Sequence, residues 1–183
     1  MNPVSVVLIV IAFILLYIAS VYNKLVRLKN QVEEGWSGIS VQLKRRYDLI
    51  PNLVNCVKGY AQHEKETLEK VIEKRNLAMN AQAPAEKAAV ENEFAQTIKS
   101  LFALSENYPD LKANTTFIEL QQSLNTVEDD LQNARRYYNA TVRNLNTAVD
   151  SFPSNIIAKK FGFDKRIFFD TEENEKQNVK VSF

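Results

Sequence analysis

The chain has 183 residues and a nearly balanced charge, with 23 lysines and arginines against 22 aspartates and glutamates. This balance excludes a protein that binds nucleic acid through a strongly basic stripe. Glycine and proline are scarce, which favours long helices over an all-β domain. The single cysteine, Cys56, cannot form an internal disulfide, and this fits a reducing compartment.

An uncharged apolar run occupies residues 4–22, and the first charged side chain is Lys24. A helix needs about twenty apolar residues to cross the roughly 30 Å hydrocarbon core of a bilayer. The run therefore predicts a single membrane-spanning helix within residues 1–23. The side chains predicted to lie in the membrane are Val4, Val7, Leu8, Ile11, Phe13, Leu15, Leu16, Ile18 and Val21.

Two other interpretations of this run are a cleaved secretory signal and a buried core helix. A secretory signal has a basic segment, a shorter apolar core and a small-residue cleavage site. The first three residues carry no side-chain charge, and no such cleavage triplet follows the run. A buried core helix rarely runs this long without charge. The pattern favours a retained anchor.

Basic residues follow the anchor, first Lys24, Arg27 and Lys29 and then residues 44–46. The positive-inside rule places this side in the cytoplasm and the N-terminus outside. We expect the first three to contact anionic lipid head groups, each contributing about 1 kcal/mol. Residues 44–46 lie roughly 30 Å further along a helix, beyond a Debye length of about 8 Å. They form a solvated stripe that pairs with acidic neighbours, or a surface for a partner.

Apolar residues recur every three or four positions from Val32 to Ala61, which predicts one amphipathic helix. Pro51 lies inside this pattern, but the register continues across it. We therefore favour one helix kinked at Pro51 over a break with a new start capped by Asp48. The predicted buried stripe is Val32, Trp36, Ile39, Leu43, Tyr47, Ile50, Val54, Val57 and Ala61.

Two shorter helices are predicted next, separated by a turn at residues 81–84. The first ends near Asn80, and Pro84 lies near the first position of the second, which runs to about Asn107. Residues 108–110 make the following connection. The predicted apolar faces are Leu68, Val71, Ile72 and Met79 on the first helix, and Phe94, Ile98, Leu101, Phe102 and Leu104 on the second.

The longest regular pattern runs from Ala113 to Phe152, and its apolar stripe includes Leu124 and Leu131. It predicts a helix near 60 Å long at about 1.5 Å per residue. Ser154 is expected to cap a short helix that ends at Gly162. Residues 163–183 predict an extended tail or a short strand pair. The aromatic cluster near the C-terminus closes the end of the bundle or forms an exposed docking patch, and we favour closure. This cluster comprises Phe161, Phe163, Ile167, Phe168 and Phe169.

The predicted fold class is all-α. A single transmembrane helix is followed by an elongated antiparallel bundle of three to four helices, a short C-terminal helix and an extended tail. The predicted domains are the anchor at residues 1–23, the bundle at 24–170 and a charged tail at 171–183.

No residue pattern predicts a catalytic, cofactor or metal site. Cys56 and His63 would lie about two turns apart on one helix, which is too far for a nucleophile and its base. A single histidine cannot supply the paired Glu-x-x-His motifs of a metal-binding bundle. We expect no cofactor, no small-molecule substrate and no enzymatic activity. The alternative is a membrane-bound enzyme with a site around Tyr60 and His63.

Several longer motifs are distinctive. They are VYNKLVRLKN at 21–30, WSGISVQLKRRYDLIPNLV at 36–54, VKGY at 57–60, FPSNII at 152–157 and FGF at 161–163. With these motifs the chain closely resembles the bacterial LemA family, from the anchor to about Asp170. The resemblance implies a membrane-anchored antiparallel helical bundle of the bacterial inner membrane, with its N-terminus outside. It implies no reaction, cofactor or catalytic residue.

The resulting hypothesis is a single-pass, membrane-anchored scaffold or interaction protein. Its expected partners are the lipid bilayer and either an unidentified protein or further copies of itself, and nucleic acid is not expected. The predicted partner surface comprises Arg45, Arg46, Phe168 and Phe169.

Overall fold

The computed structural model describes residues 2–169, which form six helices and no strand. The helices are α1 (Pro3–Lys58), α2 (Lys65–Asn80), α3 (Pro84–Ser105), α4 (Pro109–Lys112), α5 (Thr115–Asp150) and α6 (Ser154–Phe161). Residues 163–169 follow α6 without helix or strand. The all-α prediction is confirmed. The tail at 171–183 lies outside the described residues, and the predicted domain limits stay predictions.

The described chain divides into two compact units. The first comprises the described part of Met1–Ser37 together with Arg136–Ile167, and the second comprises Gly38–Arg135 with Phe168 and Phe169. Helices α1 and α5 contribute to both units, because each helix extends across a unit boundary.

Helix α1 continues through Pro51, so the prediction of one helix is confirmed and a break at this position is wrong. Pro51 has no amide N–H, which leaves the Tyr47 carbonyl, four residues earlier, without its helical donor. The Arg75 side chain of α2 fills this gap, because its Nε donates to the Tyr47 carbonyl at 2.8 Å. The helix ends at Lys58, three residues before the predicted end of the stripe at Ala61.

In the first unit, α6 packs against α1. Ile157 and Ala158 are buried with Leu25, and Ile18 and Val21 are packed against this cluster. Tyr22 stacks edge-to-face on Phe161 and Phe163, with ring centroids 5.0 and 5.7 Å apart. Gly162 ends α6 with a positive φ of 71°, as its position predicted. The prediction of a Ser154 cap is wrong, because its hydroxyl donates instead to the carbonyls of Ala148 and Ser151.

The chain after α6 runs back along α5 in the first unit. Asn146 bonds Arg166 twice, donating to its carbonyl at 2.9 Å and accepting from its amide N–H at 2.8 Å. The Tyr138 hydroxyl donates to the Ile167 carbonyl at 2.9 Å. These bonds satisfy backbone N–H and C=O groups of the segment, which in a sheet would be bonded to a neighbouring strand.

In the second unit, α1 and α5 run antiparallel, since Arg45 pairs with Asp130 and Cys56 contacts Asn114. Most of the apolar positions predicted for α1, α3 and α5 in this unit are buried in its core. The prediction for α2 is partly wrong, because Ile72 and Met79 are exposed whereas Ala78 is buried. The fully buried side chains of this core include Ile39, Leu43, Ile50, Leu53, Phe94, Leu101, Phe117 and Leu124.

Candidate functional site

The apolar segment of α1 leaves its side chains on the outside of the protein. From Val4 to Tyr17 every side chain is exposed, and Phe13 reaches 68%. Among the described residues, α1 is the one helix long and apolar enough to cross a membrane. A helix that is apolar on all sides and uncovered by protein is stable in lipid rather than in water. Ile18 and Val21, also predicted to lie in the membrane, are half-buried beside α6.

The basic residues after this segment differ in their exposure. Lys24, Arg27 and Lys29 are exposed, so they remain free to contact lipid head groups. Lys29 lies 3.9 Å from Glu33, a loose surface pair that contributes little to stability. Further along α1, Arg45 is exposed and Arg46 is buried.

Arg46 forms the centre of a buried charge cluster in the second unit, and only 1% of it is exposed. Its guanidinium contacts two carboxylates, Glu91 on α3 at 3.1 Å and Glu128 on α5 at 2.8 Å. It also lies over the Phe94 ring, 5.0 Å from the ring centroid. The delocalised charge of a guanidinium suits both contacts.

Glu91 is the most deeply buried acid of the described chain, with 0% exposure. It accepts a hydrogen bond from the Tyr47 hydroxyl as well as from Arg46. Burial raises the pKa of Glu91, and the Tyr47 hydrogen bond and the Arg46 charge oppose that rise. Burial and the neighbouring carboxylate also raise the pKa of Tyr47, so this phenol stays protonated and remains a donor. Hydrogen bonds join α1 to α3 in this cluster, and the ion pair between Arg46 and Glu128 joins α1 to α5.

The prediction that residues 44–46 form a solvated stripe or a partner surface is therefore wrong for Arg46. A charge can be buried at this depth only because two carboxylates and an aromatic ring surround it. The prediction is also wrong for Phe169, which is 1% exposed and lies under the Arg135 guanidinium, 4.9 Å from the ring centroid. Neither side chain is available to a partner. Arg45 and Phe168 are exposed and stay predictions.

Tyr60 and His63, the residues of the alternative enzyme site, lie just after the end of α1. His63 is exposed in the connection between α1 and α2, rather than on one helix with Cys56. The Tyr60 hydroxyl accepts a hydrogen bond from Asn114 Nδ2 at 3.0 Å. Asn114 Oδ1 caps α5 by accepting from the Phe117 amide at 3.0 Å, and it also lies 3.7 Å from the Cys56 thiol. Burial raises the pKa of that thiol, which reduces its reactivity.

The buried cluster had a sequence signal. Arg46 continues the series Leu43, Ile50 and Leu53 at steps of three and four, and Glu91 precedes Phe94 and Ile98 in the same way. A charged residue at a core position of a helix requires a buried partner of opposite sign. The pattern of a single helix does not reveal the pair, because its two members lie 45 residues apart in the chain.

The family model described as the LemA family matches residues 35–183. The chain belongs to the LemA family. It is similar to Protein LemA of Metamycoplasma hominis, with 26% identity across 87% of this chain and 74% of the relative.

Two further relatives of this LemA-family protein carry the name magnetosome protein. MamQ of Magnetospirillum gryphiswaldense is 24% identical across 81% of this chain and 64% of the relative. MamQ 2 of Paramagnetospirillum magneticum is 24% identical across 89% of this chain and 69% of the relative. The family and the apolar helix together indicate a membrane-associated helical protein.

Proposed function

We propose that this LemA-family protein is a single-pass scaffold of the bacterial inner membrane. It presents its helical domain to protein partners, or to other copies of itself, on the cytoplasmic side. The observation that carries the proposal is the continuity of α1. One helix supplies both the exposed apolar segment and the buried core residues Leu25, Val32 and Ile39. Any protein bound to the domain is thereby recruited to the membrane.

The polar side chains of the core and of the helix ends bond to one another, which suits a scaffold better than an enzyme. Glu91 and Tyr47 are bonded to each other and Glu91 to Arg46, and Tyr60 is bonded to Asn114, the residue that caps α5. These groups hold helices together. A catalytic base needs a pocket in which it faces a substrate, and His63 is exposed on a connection. We therefore propose that the protein is not an enzyme.

The proposed orientation is tested with a reporter that is active only in the cytoplasm. Fused after Phe183, it is expected to be active, because Lys24, Arg27 and Lys29 retain the following domain inside. The same reporter fused before Met1 is expected to be inactive. An inactive C-terminal fusion, in cells that contain the full-length protein, would mean that the orientation is the opposite of the proposed one.

The proposed partner surface retains Arg45 and Phe168 from the sequence prediction. Arg45 pairs with Asp130, and Phe169 stacks on Arg135 five residues further along α5. Both exposed side chains therefore lie near the same stretch of α5, within the second unit. Changing their buried neighbours, Arg46 and Phe169, would test stability instead of binding.

The partner surface is tested by photocrosslinking in native membranes, with a photoreactive phenylalanine analogue in place of Phe168. One or a few proteins, or a second copy of the chain, are expected to crosslink reproducibly. The Arg45→Glu change should reduce that yield, since it reverses a charge of the proposed partner surface. Lys44→Glu is the matched control, because Lys44 is an exposed neighbour on another side of α1. A crosslinking yield that responds equally to both changes, or no crosslink at all, would contradict this surface.

A further inference from the structure

The turn after α5 and helix α6 expose three large apolar side chains in the first unit. Phe152 is 80% exposed, Ile156 61% and Phe161 52%. These values are high for side chains that water disfavours, and the three lie within ten residues of one another. A soluble domain would not gain from leaving them uncovered.

The packing of α6 fixes its position along the anchor. Ile157 and Ala158 pack on Ile18, Val21 and Leu25 of α1. Ile18 and Val21 belong to the uncharged apolar segment, and Lys24 follows directly. Helix α6 therefore lies at the level where α1 leaves the hydrocarbon core.

Phe152 reaches the same level. A groove in the first unit is lined by Tyr17 and Val21 of the apolar segment and by Phe152 and Pro153 of the turn before α6. At about 1.5 Å per residue, Tyr17 lies roughly 8 Å before Tyr22 along the helix. The turn is therefore beside the last part of the membrane-spanning segment. At the other end of α6, Phe161 stacks on Tyr22.

The charges of α6 match a lipid surface. Lys159 and Lys160 are exposed and lie three and four residues after Ile156, so all three share the face turned away from α1. Lysine can extend its ammonium group to a phosphate while its aliphatic stem stays in an apolar layer. An apolar side chain flanked by lysines is typical of helices that lie in the membrane interface.

We propose that α6 and the preceding turn form an interfacial membrane element. It inserts Phe152 and Ile156 at the boundary between head groups and acyl chains and places Lys159 and Lys160 among anionic head groups. The apolar face of α6 and the turn is covered by the bilayer that surrounds the anchor. The proposal rests on the membrane location of α1 and is independent of any protein partner.

The test uses the full-length chain in liposomes that contain brominated phosphatidylcholine and anionic lipid. Trp36, the single native tryptophan, is first changed by Trp36→Phe. Phe152→Trp or Ile156→Trp then places one indole on the exposed face, and both sites have room because they are open to the outside. Brominated lipid should remove most of the emission of either variant, and aqueous iodide should remove little.

The chain with Trp36 unchanged is the matched control. Trp36 lies 14 residues beyond Tyr22, about 21 Å along α1, so brominated lipid should barely affect it. Quenching of the introduced indoles by iodide alone would place this face in water and overturn the proposal. Protection from both quenchers would also overturn it, because a second copy of the chain would then cover the face. Quenching by iodide alone would leave the proposed scaffold role untouched, whereas cover by a second copy would agree with self-association.

Discussion

Replacing Glu91 with alanine is expected to lower the free energy of unfolding by about 3–5 kcal/mol, because it leaves a buried charge without its fully buried partner. Arg46 is 1% exposed and would retain only Glu128, whose side chain is 36% exposed. Of its two acceptors, the Tyr47 hydroxyl would keep only the Ala78 carbonyl, at 3.3 Å. A domain has about 5–15 kcal/mol of stability in total, so this loss is large. Denaturant unfolding of the detergent-solubilised chain, followed by helical circular dichroism, measures it.

A double variant separates the unpaired charge from lost packing. Arg46→Met combined with Glu91→Leu removes both charges and keeps apolar volume in the core. Replacing a whole buried ion pair in this way is often neutral or stabilising, whereas breaking it is not. The double variant should therefore recover most of the stability that Glu91→Ala loses. If it unfolds as easily as the single variant, the loss comes from packing and not from the isolated charge.

Arg45 provides the matched control on the adjacent position of α1. Its pair with Asp130, at 3.2 Å, has both side chains more than two-fifths exposed. Exposed pairs contribute about 0–1 kcal/mol, because water already solvates both charges. Arg45→Ala should therefore cost far less than Glu91→Ala. Comparable losses would mean that burial does not distinguish the two arginines.

Much of the fold follows from apolar spacing within the sequence. The stripes of α1 and α5 predicted Ile39, Leu43, Leu124 and Leu131 as core residues, and all four are buried. Such stripes are reliable because a long helix has few alternative ways to bury its apolar face. The same argument gave the apolar anchor, since its length and lack of charge suffice without knowledge of any contact.

Contacts between distant side chains were not predictable in the same way. The Arg75 bond to the Tyr47 carbonyl depends on α2 returning past the proline position of α1. On α2 itself, Ile72 and Met79 lie at the edge of the buried stripe, so hydrophobicity alone assigned them to the core. The burial of Arg46 required Glu91 and Glu128 from two other helices. The apolar pattern of one helix does not show which faces of different helices pack together.

The segment after α6 shows the same limit. Its loose alternation suggested an extended tail or paired strands; residues 163–169 form no strand, and hydrogen bonds hold part of this segment against α5. Asn146 and Tyr138 supply the hydrogen bonds, and neither residue forms part of a recognisable turn motif. The remaining tail lies outside the described residues.

Replacing Gly35 with leucine is expected to destabilise the first unit by about 1–3 kcal/mol, because the helices α1 and α5 meet at this glycine. A Cβ atom at Gly35 would lie 3.1 Å from the Tyr138 Cα and 3.4 Å from the Thr141 hydroxyl oxygen. The Tyr138 atom belongs to the backbone, so it cannot rotate away as a flexible side chain could. The helices must separate to accept the new side chain, which would loosen the Trp36 and Tyr138 rings, now 5.6 Å apart.

Gly38→Leu is the matched control for Gly35→Leu, three residues later on the same helix. A Cβ atom there has no neighbour within 4 Å. Leucine also forms helices better than glycine, by about 0.5–1 kcal/mol. The control should therefore raise the free energy of unfolding where Gly35→Leu lowers it, as measured by denaturant unfolding followed through Trp36 fluorescence. Equal shifts for the two variants would show that helix propensity alone governs both positions, and that Gly35 is not needed for the close approach of α1 and α5.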